Sequence, residues 1–375
     1  MNICLRSFFV VLGMACACSY AQTDVALSGQ LDSAVRYSSN ASPAGASRVA
    51  LGGAPDGNGI WRIRGREDLG DGMSAYFNLE SAFQSANGAQ VASSASPFYG
   101  LFGREASAGI SAGAHSLVAG RLQGTGTAAA PLVLADPVNG AGYYIETLWP
   151  GEYVGLRFSN AVRYRYAAKG VSATLMHSFG GQPGSFGSAS MNAVTLGYDA
   201  GVVKSMLGAQ VIKDSRQNTM TTFTAGARID ILPQYTLHAA FMQSSAELGF
   251  DGIPNSGVIA PLPALLHEQT MRLYLVGLTL RINDAVTLKT AYYLGDSVGG
   301  TFIPSTGGGK IQTWYGVAEY ALSRRSKLVA GVDYNRWTGG YAGYWGSSTE
   351  SQTGINFHNG SDTRMNIALG FEHLF

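Results

Sequence analysis

Charged residues are scarce in this chain of 375 residues, where Asp, Glu, Lys and Arg together make up 13%. A soluble globular domain carries about twice that fraction. The hydrophobic fraction of 46% is ordinary, which excludes a disordered chain, since such chains combine low apolar content with high charge. The 25 basic and 24 acidic residues nearly cancel, so the positive excess that nucleic-acid binding requires is absent.

Cysteine is nearly absent, and its three copies all lie within the first 21 residues, at Cys4, Cys16 and Cys18. That stretch has a basic start, a short apolar run and small residues at its end. It therefore predicts a secretory signal peptide over residues 1–21, with cleavage before Gln22. A membrane anchor and a lipoprotein signal are the alternatives. The rest of the chain, residues 22–375, would then contain no disulfide, thiolate ligand or thiol nucleophile.

Long apolar runs are also missing: after the first 21 residues no stretch of about 18 consecutive apolar residues predicts a transmembrane helix. Apolar and polar residues instead alternate in segments of about ten residues, as in 25–37, 73–83 and 364–375. Such alternation predicts strands with one apolar and one polar face. The 50 glycines and 11% aromatic residues fit a protein built from many strands.

The connections between these segments alternate in length. Short turns, such as 70–72 and 233–234, alternate with long polar stretches, such as 123–159 and 337–362. The pattern predicts an all-β fold, a sixteen-stranded antiparallel transmembrane β-barrel over residues 22–375, with short periplasmic turns and long extracellular loops. Closure removes the sheet edges, and a water-filled lumen accommodates the charged faces. Two stacked periplasmic sandwiches are the soluble alternative.

Several segments resemble one protein family. The segment 62–83 (RIRGREDLGDGMSAYFNLESAF) resembles the second and third strands of Gram-negative general porins of the betaproteobacterial type. Segments 101–111, 118–123 and 159–166 resemble later strands, and the ending 370–375 (GFEHLF) resembles the family's C-terminus. The resemblance implies a homotrimeric pore in the outer membrane, with the third long loop, 123–159, folded into the lumen. It also implies that the barrel-assembly machinery reads the terminal Phe375.

The chain departs from this family at the expected constriction. Ile60 stands where the family usually has an arginine, and Arg62 follows two residues later on the same face. Leu374 occupies a penultimate position that is often basic. The basic residues of the pore are therefore expected closer to the periplasm than in the family.

Arginines of the first six strands are the candidate pore-lining residues: Arg62, Arg64, Arg66, Arg104, Arg121, Arg163 and Arg165. Carboxylates of the third long loop, Asp136, Glu146 and Glu152, are expected to face them. Opposed rows of unlike charge create a transverse field that favours small polar solutes. Pairing with carboxylates for stability alone is the alternative role for these arginines.

Two of these arginines conflict with the alternation. Arg104 and Arg121 fall on the apolar face of their segments, where a lipid-exposed arginine would cost roughly 2–4 kcal/mol at mid-bilayer. Each follows a glycine, Gly103 and Gly120. We therefore expect a bulge at each site that resets the alternation, or a position beyond the apolar band.

Residue patterns of enzymes are weak in this chain. Six histidines are widely spaced and form no pair with metal-ligand spacing: His115, His177, His238, His267, His358 and His373. Nucleophile-elbow, P-loop and dinucleotide-binding motifs are absent from the sequence. The sequence therefore predicts no enzyme, metal or cofactor.

The sequence as a whole predicts an outer-membrane pore for passive diffusion of small hydrophilic solutes and ions. The partners we expect are a homotrimer, outer-membrane lipid and lipopolysaccharide, and the barrel-assembly machinery, but no nucleic acid. A substrate-selective channel of the same fold and a surface adhesin or recognition barrel are the alternatives.

Overall fold

The computed structural model describes residues 23–42, 44–55, 57, 59–90, 100–139, 151–252, 265, 267–299, 308–342 and 361–375. These residues form one antiparallel sheet of seventeen strands. The strands are β1 (Thr23–Ser38), β2 (Arg48–Gly52), β3 (Ile60–Gly70), β4 (Met73–Ala82), β5 (Glu105–Ala112), β6 (His115–Gln123), β7 (Arg157–Ala168), β8 (Val171–Ser178), β9 (Met191–Asp199), β10 (Val203–Lys213), β11 (Thr219–Leu232), β12 (Tyr235–Ala246), β13 (Gln269–Arg281), β14 (Val286–Val298), β15 (Gly309–Ala321), β16 (Ser326–Gly339) and β17 (Thr363–Leu374).

The sheet closes into a barrel through its first and last strands. β1 pairs with β17 from Gln30 opposite Leu374 to Ser38 opposite Asn366. On its other side β1 pairs with both β2 and β3, which therefore occupy one position in the wall. The wall has sixteen strand positions, and the predicted sixteen-stranded barrel is confirmed.

The second wall position is interrupted between β2 and β3, from residue 53 to residue 59, and this interruption was not predicted. Here the chain leaves the wall and folds inward: Ala54 is fully buried, and its backbone N–H donates to Asp32 Oδ2 at 2.6 Å. Pro55 packs against Gly331 of β16, where an added Cβ would lie 2.6 Å from the proline ring. The sequence gives no signal for this inward fold, because the glycines and the proline of residues 52–59 interrupt the alternating pattern.

The short turns of the described residues all lie at one end of the barrel. They connect β3 to β4, β5 to β6, β7 to β8, β9 to β10, β11 to β12, β13 to β14 and β15 to β16. The first of these contains Asp71 with a φ of +50° between two glycines that also have positive φ. Glycine adopts that conformation at little cost, so a two-residue turn fits there.

Side chains alternate between the two faces of the wall as the sequence predicted. On β13, Tyr274 and Val276 are 47% and 60% exposed on the outer face, whereas Met271, Leu273 and Leu275 are buried on the inner face. These inner residues of β13 are apolar, so the inner face of the barrel is not polar throughout. They are buried because a long loop covers this part of the inner wall.

That loop connects β6 to β7 and contains a 3₁₀ turn (Gly124–Gly126), helix α1 (Ala129–Ala135) and helix α2 (Gly151–Val154). Helix α1 packs against β10, β11 and β12. Among the described residues, no helix is long and apolar enough to cross a membrane.

Candidate functional site

Helix α1 of the third long loop lies directly on the inner wall. Gly226 of β11 allows this approach, because an added Cβ there would overlap the carbonyl oxygen of Pro131. Thr224 Oγ1 donates to the Ala128 carbonyl at 2.8 Å, and the Ala128 N–H donates to Gln210 Oε1 at 3.1 Å. Glycine and hydroxyl or amide side chains on the wall thus fix the position of α1.

The loop is also anchored by buried tyrosines. Tyr153 OH lies 2.6 Å from Tyr341 OH, and the Tyr153 carbonyl accepts a bond from Thr222 Oγ1 at 2.9 Å. At the end of α1, Asp136 is 2% exposed and accepts a hydrogen bond from the Tyr315 hydroxyl of β15. The two described segments of the loop, 124–139 and 151–156, are therefore both attached to the inner wall, through Thr222 of β11 and Tyr315 of β15.

A cluster of charged residues lies on the wall opposite this loop. Glu80 of β4 is 1% exposed, and its two carboxylate oxygens lie 3.0 Å from Arg62 Nε and 2.6 Å from Arg104 Nε. Gln123 Nε2 donates to the same carboxylate at 3.0 Å. We call Glu80, Arg62 and Arg104 the Glu80 cluster. Its arginines remain 24% and 13% exposed, so they can still interact with solutes in the lumen.

The position of Arg104 follows from an irregularity in the chain. β5 begins at Glu105, which pairs with Glu80, so Arg104 precedes the regular strand. Its backbone N–H still bonds to the Glu80 carbonyl at 3.2 Å, and its side chain reaches the inward-facing Glu80 carboxylate. The apolar alternation of β5 therefore does not extend to Arg104.

Arg121 lies beside a register shift. Gly120 pairs with Ala161 and has a φ of +136°, whereas Leu122 pairs with Phe158, so β7 has one extra residue here. Arg121 bonds through Nε to the carbonyl of Gly103 at 2.6 Å and through Nη1 to Ser159 Oγ at 2.7 Å. These partners lie at the end of the barrel that carries the long loops, where β5 and β7 begin.

The other four candidate arginines, Arg64, Arg66, Arg163 and Arg165, occupy positions of β3 and β7 whose side chains face the inside of the barrel. Arg64 donates to Asn78 Oδ1 at 3.2 Å, and Arg163 donates to Thr125 Oγ1 at 2.7 Å. Arg66 pairs in register with Tyr76, and Arg165 pairs with Thr174. Arg64, Arg66 and Arg165 are exposed.

The acidic candidates are described only in part. Asp136 binds Tyr315 on the wall and anchors the loop. Glu146 lies outside the described residues, and so does the side chain of Glu152. The expected row of loop carboxylates facing the arginines therefore stays a prediction.

A second ionic network was not predicted from the sequence. Glu319 of β15 accepts from Lys289 Nζ at 2.8 Å and from Lys327 Nζ at 2.6 Å, and Lys327 also lies 3.2 Å from Glu372. Asp333 of β16 lies further than these residues from the short-turn end of the barrel. Its Oδ2 accepts hydrogen bonds of 2.7 Å from the side-chain amides of Asn335 and Asn366. These residues lie on β14–β17. Their alternation with the apolar outward-facing residues of the same strands was the sequence signal that could have identified them as lumenal.

The described residues contain no group of three or more His, Cys, Asp or Glu side chains that could hold a metal ion.

Comparison with known proteins gives concordant results. The family model for Gram-negative porins matches residues 9–340. An outer membrane porin protein of Bordetella pertussis is 34% identical over 102 residues, which cover 24% of this chain and only 25% of that protein.

Solved porin structures share the fold. An anion-selective porin from Comamonas acidovorans superposes with a TM-score of 0.74 at 19% identity, covering 94% of this chain and 100% of that one. A trimer form of OmpT from Vibrio cholerae superposes with a TM-score of 0.63 at 12% identity, covering 94% and 99%.

Proposed function

Because the chain belongs to the Gram-negative porin family and folds as an outer-membrane β-barrel, we propose that it forms a water-filled channel for passive diffusion. The solutes would be small and hydrophilic, including ions. The observation that carries this proposal is the Glu80 cluster on the inner wall opposite the third loop, in which two partly exposed arginines share one buried carboxylate. One carboxylate cannot neutralise two arginines, so a positive charge is left over. That charge would be strongly destabilising in a dry protein core, whereas water in a lumen stabilises it.

We further propose that the wall opposite the loop favours anions. On β3–β7 the inward-facing carboxylates are Asp68, Glu80 and Glu105. They are outnumbered by the inward-facing arginines of these strands together with Arg104, which precedes β5: Arg62, Arg64, Arg66, Arg104, Arg163 and Arg165. An excess of positive charge at a narrow opening raises the local concentration of anions. The anion-selective Comamonas porin, which has the same fold, supports this direction.

Liposome swelling tests the proposed solute range. Proteoliposomes in isotonic sugars or amino acids should swell at rates that fall smoothly with solute size, whatever the solute class. Swelling with one solute class alone would instead indicate a substrate-selective channel. A folded barrel that admits none of these solutes would favour a surface-recognition role and contradict the proposal.

Assembly is the third part of the proposal. Phe375 and Gly29 exchange two backbone hydrogen bonds of 3.0 and 3.1 Å where β1 meets the end of β17, and Phe375 is 45% exposed. We propose that the barrel-assembly machinery recognises this end and that three barrels form a trimer, as in the trimer form of Vibrio OmpT. We assign no catalytic role, and we retain cleavage before Gln22 as a proposal that N-terminal sequencing of exported protein tests.

A further inference from the structure

The second strand position of the wall contains more residues than its neighbour β1 can pair with. Gly52, the last residue of β2, lies opposite Ala34, and Ile60, the first residue of β3, lies opposite Gln30. Residues 31–33 of β1 separate these two partners, whereas residues 53–59 separate Gly52 from Ile60. Three of the seven would continue the strand, which leaves four in excess. Because this excess is even, the same face of the strand points inward on both sides of the interruption.

The excess residues fold into the barrel rather than out of it. We call the described residues of this segment the strap: Gly53, Ala54, Pro55, Gly57 and Gly59. All five are buried. The Ala54 N–H donates to Asp32 Oδ2 at 2.6 Å, and the Gly57 N–H donates to the Ala54 carbonyl at 3.2 Å. On the outer side, Leu31 and Leu51 are exposed and apolar, so this level of the wall faces hydrocarbon, which offers no partner to such backbone groups.

The strap reaches across the inner wall as far as β16. An added Cβ on Gly331 of β16 would lie 2.6 Å from the Pro55 ring, so Pro55 packs directly on this glycine. β17 lies between β1 and β16, and its Ala368 pairs with Gly331 and is 4% exposed although it faces inward. The inner wall is therefore covered here. Larger side chains at the glycine and alanine positions would occupy the space of the strap.

The strap lies between the Glu80 cluster and the anchor of the third loop. It joins β3 at Ile60, two residues before Arg62 of that cluster. Its Pro55 packs on Gly331 of β16, and the adjacent strand β15 carries Tyr315, to which the third loop is attached. The arginine-bearing wall, the third loop and the strap therefore border the lumen on three sides.

We propose that the strap sets the width of the channel and, with it, the largest hydrophilic solute that passes. A chain that packs on the wall is about 5 Å thick, so it removes a substantial part of the open cross-section. The described residues of the strap are glycine, alanine and proline, which carry no charge. The strap therefore acts on solute size, whereas the Glu80 cluster acts on solute charge. This proposal rests on the proposed function as a channel.

A barrel with a shortened second strand position tests this proposal. Replacing residues 53–59 by Val-Ser-Val joins β2 to β3 without excess residues and directs both valines toward the lipid. The variant should conduct about 1.5 to 2.5 times as much as the parent, because a chain about 5 Å thick has left the lumen. In liposome swelling, a trisaccharide should enter faster relative to a monosaccharide than it does through the parent. The replacement also removes Asp56, so Asp56→Asn is the matched charge control and should keep the parental size limit.

A single substitution tests the opposite direction. Gly331→Leu places a side chain where the Pro55 ring packs, so the strap should move further into the lumen and the conductance should fall by about 1.5-fold. Gly316→Leu is the matched control. Gly316 shares the outward face of β15 with the exposed Trp314, and the nearest atom lies 3.6 Å from an added Cβ. The control should conduct as the parent does, and heat-modifiable migration establishes the folding of every variant.

A folded shortened barrel with the conductance and the size limit of the parent would overturn the proposal. If the shortened barrel does not fold, the single substitution decides, because parental conductance of a folded Gly331→Leu barrel would overturn the proposal equally. A folded parent that inserts without any conductance would instead refute the proposed channel, so the two failures are distinguishable.

Discussion

Replacing Glu80 by glutamine removes a carboxylate that two arginines share while keeping the shape of the side chain. In the parent, the carboxylate oxygens lie 2.6 Å from Arg104 Nε and 3.0 Å from Arg62 Nε. Breaking a fully buried ion pair costs about 3–5 kcal/mol. Because these arginines are 13% and 24% exposed, water compensates in part, and we expect a loss of about 2–3 kcal/mol in the free energy of unfolding.

The same substitution should change ion selectivity in a defined direction. An added unit of positive charge about 8 Å from the ion path changes the energy of a passing ion by about 0.5 kcal/mol in water. Salt screening at 0.1 M roughly halves this effect, which has opposite signs for chloride and potassium. Glu80→Gln should therefore raise the permeability ratio of chloride to potassium about twofold to fivefold.

Reversal potentials in a tenfold KCl gradient measure this ratio, and urea-dependent loss of the folded barrel measures the stability. Glu247→Gln is the matched control, because Glu247 is an exposed carboxylate just beyond β12. The control should leave the permeability ratio unchanged. A Glu80→Gln barrel with parental selectivity would show that the Glu80 cluster lies away from the ion path, and parental stability would show that the carboxylate is not needed to balance the arginines.

Three further predictions address the lumen, the third loop and assembly. Arg62→Cys in a protein of residues 22–375, which contain no other cysteine, should react with a membrane-impermeant thiol reagent and lower the conductance; a labelled channel with unchanged current would place Arg62 outside the pore. Gly226→Ala should lower stability by about 1–3 kcal/mol and change the conductance, because the added methyl group overlaps the Pro131 carbonyl. Gly316→Ala, where the nearest atom is 3.6 Å from the new Cβ, is its control, and equal stabilities would refute the tight packing of α1. Deleting Phe375 should reduce heat-modifiable barrel in outer-membrane fractions, and a normal amount of folded barrel would contradict its role in assembly.

The barrel could be predicted from the sequence because strand alternation is a local property. Each residue faces in or out according to its position along the strand, and this parity placed Arg62, Arg64 and Arg66 on one face before any pairing was known. The conflict at Arg104 and Arg121 was also visible locally, because each follows a glycine in a segment whose apolar parity it breaks.

Contacts between distant parts of the chain could not be predicted in this way. Asp136 was expected to face the arginines, yet it binds Tyr315, a residue 179 positions later. Its partner depends on where the loop crosses the barrel, which a single sequence does not determine. The inward fold around Pro55 could not be predicted for the same reason. It depends on packing against Gly331, which lies in the distant strand β16.

Single-channel recording in planar bilayers tests the channel itself most directly. Purified, folded protein should insert in discrete steps, each with a high conductance that is linear in voltage at low potentials, and chloride should carry most of the current. Folded protein that inserts without measurable conductance steps would contradict the account of this barrel as a water-filled pore.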